Sequence, residues 1–186
     1  MKIQLLSDLH LETQPDFVPT PAPGADVLVL AGDVGSYQTG SALTAAGDAY
    51  FGLARFSPRH GWPTPVLFVP GNHEYDGMDF DATHERLRET CARLGITWLE
   101  REALTLKSED GSSVRFVGTT LWSDFDSLGP SPVEDSQACD STPGNRLTAQ
   151  LKARDKAFRA ANFYLKKTGT TRHGLPMLAD AVREQA

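Results

Sequence analysis

The chain has 186 residues, with 24 acidic and 18 basic side chains and a formal net charge of −6. This length fits one domain with a substantial core, and the ordinary apolar content excludes wholesale disorder. No cluster of lysine and arginine forms a basic stripe, which argues against a binding surface for long nucleic acid. Small anionic substrates remain compatible with this charge if bound cations accompany them.

The two cysteines, Cys91 and Cys139, do not have the spacing of paired ligands, so a disulfide framework or a thiolate zinc site is not expected. Cys91 falls at helical spacing with apolar residues and is predicted to be buried, whereas Cys139 lies in a polar, loop-like stretch. No signal-peptide pattern opens the sequence, and no apolar run is long enough to span a bilayer. We therefore expect a cytoplasmic protein without a membrane partner, and the sequence leaves its oligomeric state open.

The first part of the chain predicts short strands joined by longer connections. Residues 2–7, 26–31 and 65–69 are apolar runs typical of buried strands. The alanine-rich residues 41–56 have apolar side chains near helical spacing. They are predicted to form a helix that connects the second strand to the third in a βαβ unit. Residues 11–25 contain several prolines and are predicted to be a surface connection.

A second helix is predicted over residues 81–94, with Asp81 as its N-cap and Gly95 at its end. A hairpin turn signal occurs at residues 109–112, which read Glu-Asp-Gly-Ser. Strands are predicted before and around this turn, at residues 96–99, 104–106 and 114–121.

Beyond residue 123 the sequence changes character and becomes rich in loops and helices. Loop-like residues precede two predicted helices, at 147–165 and 177–185. The chain contains no internal repeat and no interdomain linker. Residues 1–186 are therefore read as a single domain, with residues 123–175 as a loop- and helix-rich segment within it.

Polar side chains follow directly after each of the first three predicted strands. Asp8 and His10 follow the first strand, Asp33 follows the second, and Asn72 and His73 follow the third. Because the carboxyl ends of parallel strands meet at one edge of a sheet, we expect these side chains to form a metal-binding edge. Carboxylate, imidazole and amide ligands suit divalent manganese, iron or zinc.

Each of these residues also has a simpler interpretation. Taken singly, Asp8 and Asp33 are typical turn or capping residues, and His10 is typical of a surface. The functional interpretation is favoured by the set, because three polar groups crowd the third strand end where a simple turn needs one. Glu74 is predicted to support that turn rather than to bind metal. The remaining histidines are predicted to be exposed: His60, His84 and His173.

In this order, the motifs Asp8-x-His10, Gly32-Asp33 and Gly71-Asn72-His73-Glu74 resemble those of the calcineurin-like metallophosphoesterase superfamily. The resemblance extends as far as residues 118–122. It implies an α/β fold, a metallophosphoesterase-like α/β/β/α sandwich with two packed sheets between helical layers.

The resemblance also implies a two-metal site and a reaction. Asp8 and His10 would hold the first divalent metal ion, Asp33 would bridge the two ions, and Asn72 would hold the second. His73 would act as the general acid at the leaving oxygen. The implied activity is phosphoester hydrolysis by two-metal-activated hydroxide attack on phosphorus.

The residues after Asp33 indicate the kind of substrate. Protein phosphatases of the same superfamily carry a Val-Asp-Arg-Gly element there, whose arginine grips phosphate. Here the segment is Val34-Gly35-Ser36-Tyr37, which contains no arginine. This departure implies a small phosphodiester or a nucleotide as substrate rather than a phosphoprotein.

The superfamily completes its site with a strand that ends in histidine and a later Gly-His-x-His turn. Neither motif occurs here, because His173 is the only histidine after His84. We therefore expect an incomplete, apparently truncated N-terminal portion of the sandwich that binds metal weakly and has little activity alone. The alternative function is a non-catalytic or inactive fragment of that fold, and a further alternative is that another chain supplies the missing ligands.

Overall fold

The computed structural model describes residues 1–108, 111–123, 125 and 143–186, with side chains from residue 148 in the last range. The described chain divides into two compact units. The first comprises Met1–Thr120 and Thr170–Leu175, and the second comprises Leu121–Gly169 and Pro176–Ala186. Cys139, most of the predicted loop before residue 143, and the first two residues of the predicted hairpin turn lie outside the described residues.

The described elements follow in chain order. The strands are β1 (Ile3–Leu6), β2 (Val27–Ala31), β3 (Val66–Val69), β4 (Thr97–Trp98), β5 (Glu102–Lys107), β6 (Ser113–Gly118), β7 (Thr171–Arg172) and β8 (Leu175–Pro176). The α-helices are α1 (Ala42–Ala45), α2 (Phe80–Leu94), α3 (Pro143–Thr168) and α4 (Ala179–Arg183). Short 3-10 helices occur at Leu53–Phe56, Pro58–His60 and His73–Tyr75.

A four-stranded parallel sheet, in the order β1-β2-β3-β4, forms the centre of the first unit. Its register pairs Leu6 with Leu30 and Leu30 with Phe68, so the first three strands end level with one another. The buried valine and leucine side chains of β2 and β3 explain why these runs form central strands. The predicted strands are confirmed, and their carboxyl ends share one edge.

The β5–β6 hairpin forms a second, antiparallel sheet. One face of the parallel sheet presents Val27 and Leu67, which form a buried core with Leu99. The hairpin packs its inward side chains against this core through Leu104, Leu106 and Phe116. The predicted hairpin is therefore confirmed, and it forms a second sheet layer against the parallel sheet.

The opposite face of the parallel sheet carries α2. Phe68 and Trp98 are register partners on that face, with ring centroids 6.1 Å apart. His84 of α2 packs edge-on against Trp98, at 5.0 Å between ring centroids. Helix, parallel sheet and hairpin thus form successive layers of the first unit, as an α/β fold requires.

The predicted helix over residues 41–56 is wrong. Only Ala42–Ala45 is α-helical, and the chain continues through turns into the 3-10 helix Leu53–Phe56. Gly47 and Gly52 adopt positive φ angles of 69° and 74°, which an α-helix cannot contain. Asp48 accepts hydrogen bonds from nearby backbone N–H groups, including that of Gly52 at 3.1 Å, and so stabilises a turn instead.

The N-cap of α2 is Asp79 rather than the predicted Asp81. The Asp79 carboxylate accepts a hydrogen bond from the backbone N–H of Ala82 at 3.3 Å. Asp81 lies in the first turn, where its carboxylate is 3.2 Å from Arg172 Nε. The predicted end of the helix is confirmed, because Gly95 adopts a left-handed φ of 72°.

The second unit contains two of the predicted helices. Helix α3 is longer than the predicted residues 147–165, and α4 is shorter than the predicted residues 177–185. The side chain of Asn162 on α3 accepts a hydrogen bond from the backbone N–H of Ala179 at 2.9 Å, at the start of α4. Among the described helices, none combines the length and apolar character needed to cross a membrane.

The three peripheral histidines differ in burial. His60 and His173 are exposed, as predicted. The prediction for His84 is wrong, because it is half-buried among aromatic rings and its Nδ1 lies 3.1 Å from the Tyr75 hydroxyl. Burial is the main cause that lowers the pKa of His84 below its ordinary value of 6.5.

The burial of His84 predicts a specific acid sensitivity. Because its pKa is lower in the folded than in the unfolded chain, its contribution to stability is complete above about pH 6.5 and is lost as the pH falls further. Between about pH 7.5 and about pH 5.5, we expect the free energy of unfolding to fall by less in His84→Gln than in the parent chain. Urea unfolding at both pH values measures this change.

The control for this prediction is His60→Gln, the same substitution at an exposed histidine. It should leave the pH dependence of stability as in the parent chain. Equal pH dependence in the His84→Gln variant and the parent would contradict the prediction.

Candidate metal centre

Two backbone hydrogen bonds join the turns that follow β1 and β2. The N–H of Asp8 donates to the carbonyl of Gly32 at 3.1 Å, and the N–H of His10 donates to the carbonyl of Asp33 at 3.0 Å. The contact between the two strands therefore continues past their regular ends. This places the side chains of Asp8, His10 and Asp33 on neighbouring turns at one edge of the sheet.

Asp8, His10 and Asp33 all have left-handed backbone conformations, with φ angles of 53°, 46° and 53°. Such angles are uncommon outside glycine and cost roughly 1–2 kcal/mol each. Three of them on two adjacent turns are maintained only because the surrounding hydrogen bonds fix the turns. Strained residues of this kind concentrate at functional sites.

Two glycines allow the turns after β2 and β3 to approach each other. A Cβ atom added to Gly32 would lie 2.7 Å from Cα of Gly71. A Cβ atom added to Gly71 would overlap Oδ1 of Asp33. Both turns therefore need glycine at these positions, because the two backbones approach each other closely.

The turns bring three metal-ligating side chains together: His10, Asp33 and His73. Each offers a ligand atom, and these atoms lie within 4.8 Å of one another. The rings of the two histidines meet edge to face, with centroids 4.8 Å apart. In the part of the chain that the structure describes, no other histidine, cysteine and carboxylate side chains form such a group.

The other two predicted ligands lie at the same edge but outside this group. Asp8 is on the turn after β1, with an exposed side chain. Asn72 directly precedes His73 and is half-buried at the start of a 3-10 helix. The structure thus juxtaposes His10 and Asp33 with the predicted general acid His73, with Asp8 and Asn72 beside them along the chain.

Each histidine of the group is held by a buried carboxylate. His10 Nδ1 lies 3.0 Å from Oε1 of Glu12, and His73 Nδ1 lies 2.7 Å from Oδ2 of Asp76. Glu12 and Asp76 are 3% and 1% exposed. The hydrogen bond to Asp76 is the main cause that raises the pKa of His73 to about 9, against an opposing effect of burial.

Glu12 and Asp76 are not among the site residues predicted from the sequence. The available signal was an acidic residue two or three positions after each candidate histidine. This signal is weak, because acidic residues are common and most of them are exposed. Only the burial of both carboxylates identifies them as partners of the imidazoles.

Glu74 connects the turns after β2 and β3 without entering the ligand group. Its fully buried carboxylate accepts hydrogen bonds from the backbone N–H groups of Asp33 at 3.1 Å, Val34 at 2.6 Å and Gly71 at 2.8 Å. Burial is the main cause that raises its pKa to about 7, and the charge of Asp33 acts in the same direction. Its predicted role as a supporting carboxylate is confirmed.

The chemistry of the donor set fits a divalent transition metal. Two imidazoles and a carboxylate are suitable ligands for manganese, iron or zinc. Both imidazoles use Nδ1 in hydrogen bonds to buried carboxylates, and Nε2 is the other ring nitrogen that could bind an ion. Carboxylates in this position are typical outer partners of metal-binding histidines.

A comparison with protein families agrees with this chemistry. A family model described as calcineurin-like phosphoesterase matches residues 1–149, which include every residue of the candidate centre. A search of curated proteins finds no match to the chain.

The buried bonds of Glu74 predict that Glu74→Gln lowers the free energy of unfolding by about 3 kcal/mol. A glutamine side chain has one acceptor oxygen, so at least one of the three backbone donors would face its NH₂ group. Denaturant unfolding of both proteins in a chelator measures the difference without any contribution from metal.

The matched control is Glu89→Gln, on an exposed position of α2. This substitution should change stability by less than about 0.5 kcal/mol. If Glu74→Gln were as stable as this control, the carboxylate would not hold the turns together.

Proposed function

Because the chain belongs to the calcineurin-like phosphoesterase family, we propose that it hydrolyses a small phosphodiester or a nucleotide with two divalent metal ions. The family consists of metal-dependent phosphoester hydrolases, and this proposal assigns a substrate class and residue roles. The observation that carries it is the convergence of His10, Asp33 and His73 at the carboxyl edge of the parallel sheet.

The proposal assigns the metal ligands in chain order. Asp8 and His10 would hold one ion, Asp33 would contribute to both ions, and Asn72 would hold the other. Bound ions supply Lewis-acid activation of water and neutralise the charge that develops on the phosphoryl oxygens. The backbone hydrogen bonds between the turns after β1 and β2 support the assignment, since they fix the backbone positions from which Asp8, His10 and Asp33 project.

His73 donates a proton to the leaving oxygen in this proposal. The Asp76 carboxylate at 2.7 Å from Nδ1 stabilises the doubly protonated ring, in which Nε2 also carries a proton that can be donated. The backbone N–H of His73 also donates to Oδ1 of Asp33 at 2.9 Å, which ties the proton donor to the shared ligand. Both contacts support a fixed position for the ring beside the reacting phosphate.

The segment after Asp33 supports a small substrate. The residues after Asp33 include no lysine or arginine through position 37, so this segment presents no cationic side chain to a phosphoprotein. The net charge of −6 likewise offers no surface for long nucleic acid. The proposal includes a cytoplasmic location, with which the free thiol of buried Cys91 is compatible.

A non-catalytic role is the second candidate function. Three metal-ligating groups of the histidine, cysteine or carboxylate type converge within the described residues, and two neighbouring ions need more ligands than these. A chain with weak metal affinity would keep the fold without the activity. Metal-dependent turnover by the purified chain separates the two candidates.

The first experiment measures hydrolysis of bis(p-nitrophenyl) phosphate with added Mn²⁺. We expect Asp33→Asn to abolish the metal-dependent rate, because it removes charge from the ligand shared by both ions. Asp16→Asn makes the same change at an exposed position and should keep the parent rate. A folded parent chain without metal-dependent turnover would favour the non-catalytic role.

A second experiment tests the proton donor. For a substrate with an alkoxide leaving group, which requires protonation, His73→Gln should lower the rate by on the order of 10²–10⁴-fold. For p-nitrophenolate, which leaves without a proton, the loss should be much smaller. Equal losses with both substrates would show that His73 serves another purpose, such as binding metal.

A further inference from the structure

Glu12 is a buried carboxylate that contacts the turns after both β1 and β2. Its side chain is 3% exposed. Oε1 lies 3.0 Å from His10 Nδ1, and Oε2 accepts a hydrogen bond from the backbone N–H of Ser36 at 3.3 Å. Its backbone carbonyl accepts from the N–H of Ala42 at 2.9 Å. Glu12 is thus held by both its side chain and its backbone, and it lies outside the motif Asp8-x-His10.

We propose that Glu12 is a positioning residue that selects the tautomer of His10 and so directs Nε2 to the metal. A carboxylate only accepts hydrogen bonds, so the neutral His10 ring must carry its hydrogen on Nδ1. The lone pair then resides on Nε2, the nitrogen that is free to bind an ion. This inference rests on the proposed function, in which His10 is a ligand.

The geometry distinguishes this role from simple support of the loop. If Glu12 only supported the loop, an acceptor for the Ser36 N–H would be enough, and an amide oxygen would serve as well as a carboxylate. Selection of the tautomer requires an acceptor at His10 at the same time. The carboxylate is the side-chain group that accepts at both ends with no donor of its own.

Replacement by glutamine therefore has a definite chemical consequence. The backbone N–H of Ser36 is always a hydrogen-bond donor, so the glutamine oxygen turns toward it. The NH₂ group then meets Nδ1 of His10, which must become the acceptor. The hydrogen of the ring moves to Nε2 and blocks the lone pair that the metal needs.

Metal titration of the full chain tests the first consequence. Binding of Mn²⁺, followed by the paramagnetic resonance signal of the free ion, should be weaker by on the order of 10–100-fold in Glu12→Gln. The matched control is Glu100→Gln. Glu100 is also buried, at 7% exposure, and its carboxylate accepts hydrogen bonds from Thr120, so the substitution makes the same chemical change at a buried carboxylate that does not contact His10. The control should keep the parent affinity.

The tautomer is measured directly in the metal-free protein. Two-bond ¹H–¹⁵N correlation spectra report which nitrogen of each imidazole carries the hydrogen. The signals of His10 are identified by their absence in His10→Asn, whose asparagine tolerates the left-handed backbone at this position. We expect Nδ1–H in the parent and a shift toward Nε2–H in Glu12→Gln.

The outcomes separate this inference from the proposed function. If His10→Asn binds Mn²⁺ as tightly as the parent, His10 is not a ligand, and the proposed ligand set and the inference both fail. If His10→Asn binds weakly but Glu12→Gln binds like the parent, the inference alone is overturned. Nε2–H in the parent spectrum overturns it as well, and that measurement needs no folded Glu12 variant.

Discussion

The candidate centre depends on the buried carboxylate of Glu74. Its three backbone hydrogen bonds join the turn after β2 to the turn after β3. Left without this acceptor, the N–H groups of Asp33, Val34 and Gly71 would be buried donors with a lost partner, which costs far more than an average hydrogen bond contributes. A further hydrogen bond joins the same two turns, because the side chain of Asp33 accepts from the backbone N–H of His73. The distance between the two turns is thereby fixed before any metal binds.

Acidic groups outside the cluster of His10, Asp33 and His73 surround the candidate centre. Glu12, Glu74 and Asp76 are all buried, and each contacts a residue or turn that the site uses. The charge of Asp33 contributes to the raised pKa of Glu74, so the negative charges of these two carboxylates repel each other. Bound divalent ions would relieve that repulsion. The same charge that supports the imidazoles therefore also favours cations at the carboxyl edge of the sheet.

Much of the candidate site was predictable because its signals are local in sequence. Each candidate ligand lies in a turn that follows an apolar run, and parallel strands bring their carboxyl ends to one edge. Asp33 and His73 could be placed together for this reason alone. The partners of the imidazoles were not predictable, because Glu12 and Asp76 are distinguished from other acids by burial, a property that depends on how distant segments pack.

The sequence by itself determined the parallel strands, the hairpin and the polar turns, because apolar periodicity and turn residues act over a few positions. Tertiary structure decided the connection between β2 and β3, where glycines with positive φ override the helical spacing of residues 41–56. It also decided the burial of His84 on α2, which lies against Trp98 of strand β4. Local sequence patterns identify the residues that favour burial. The side chains that cover these residues come from distant parts of the chain, so only the tertiary structure identifies them.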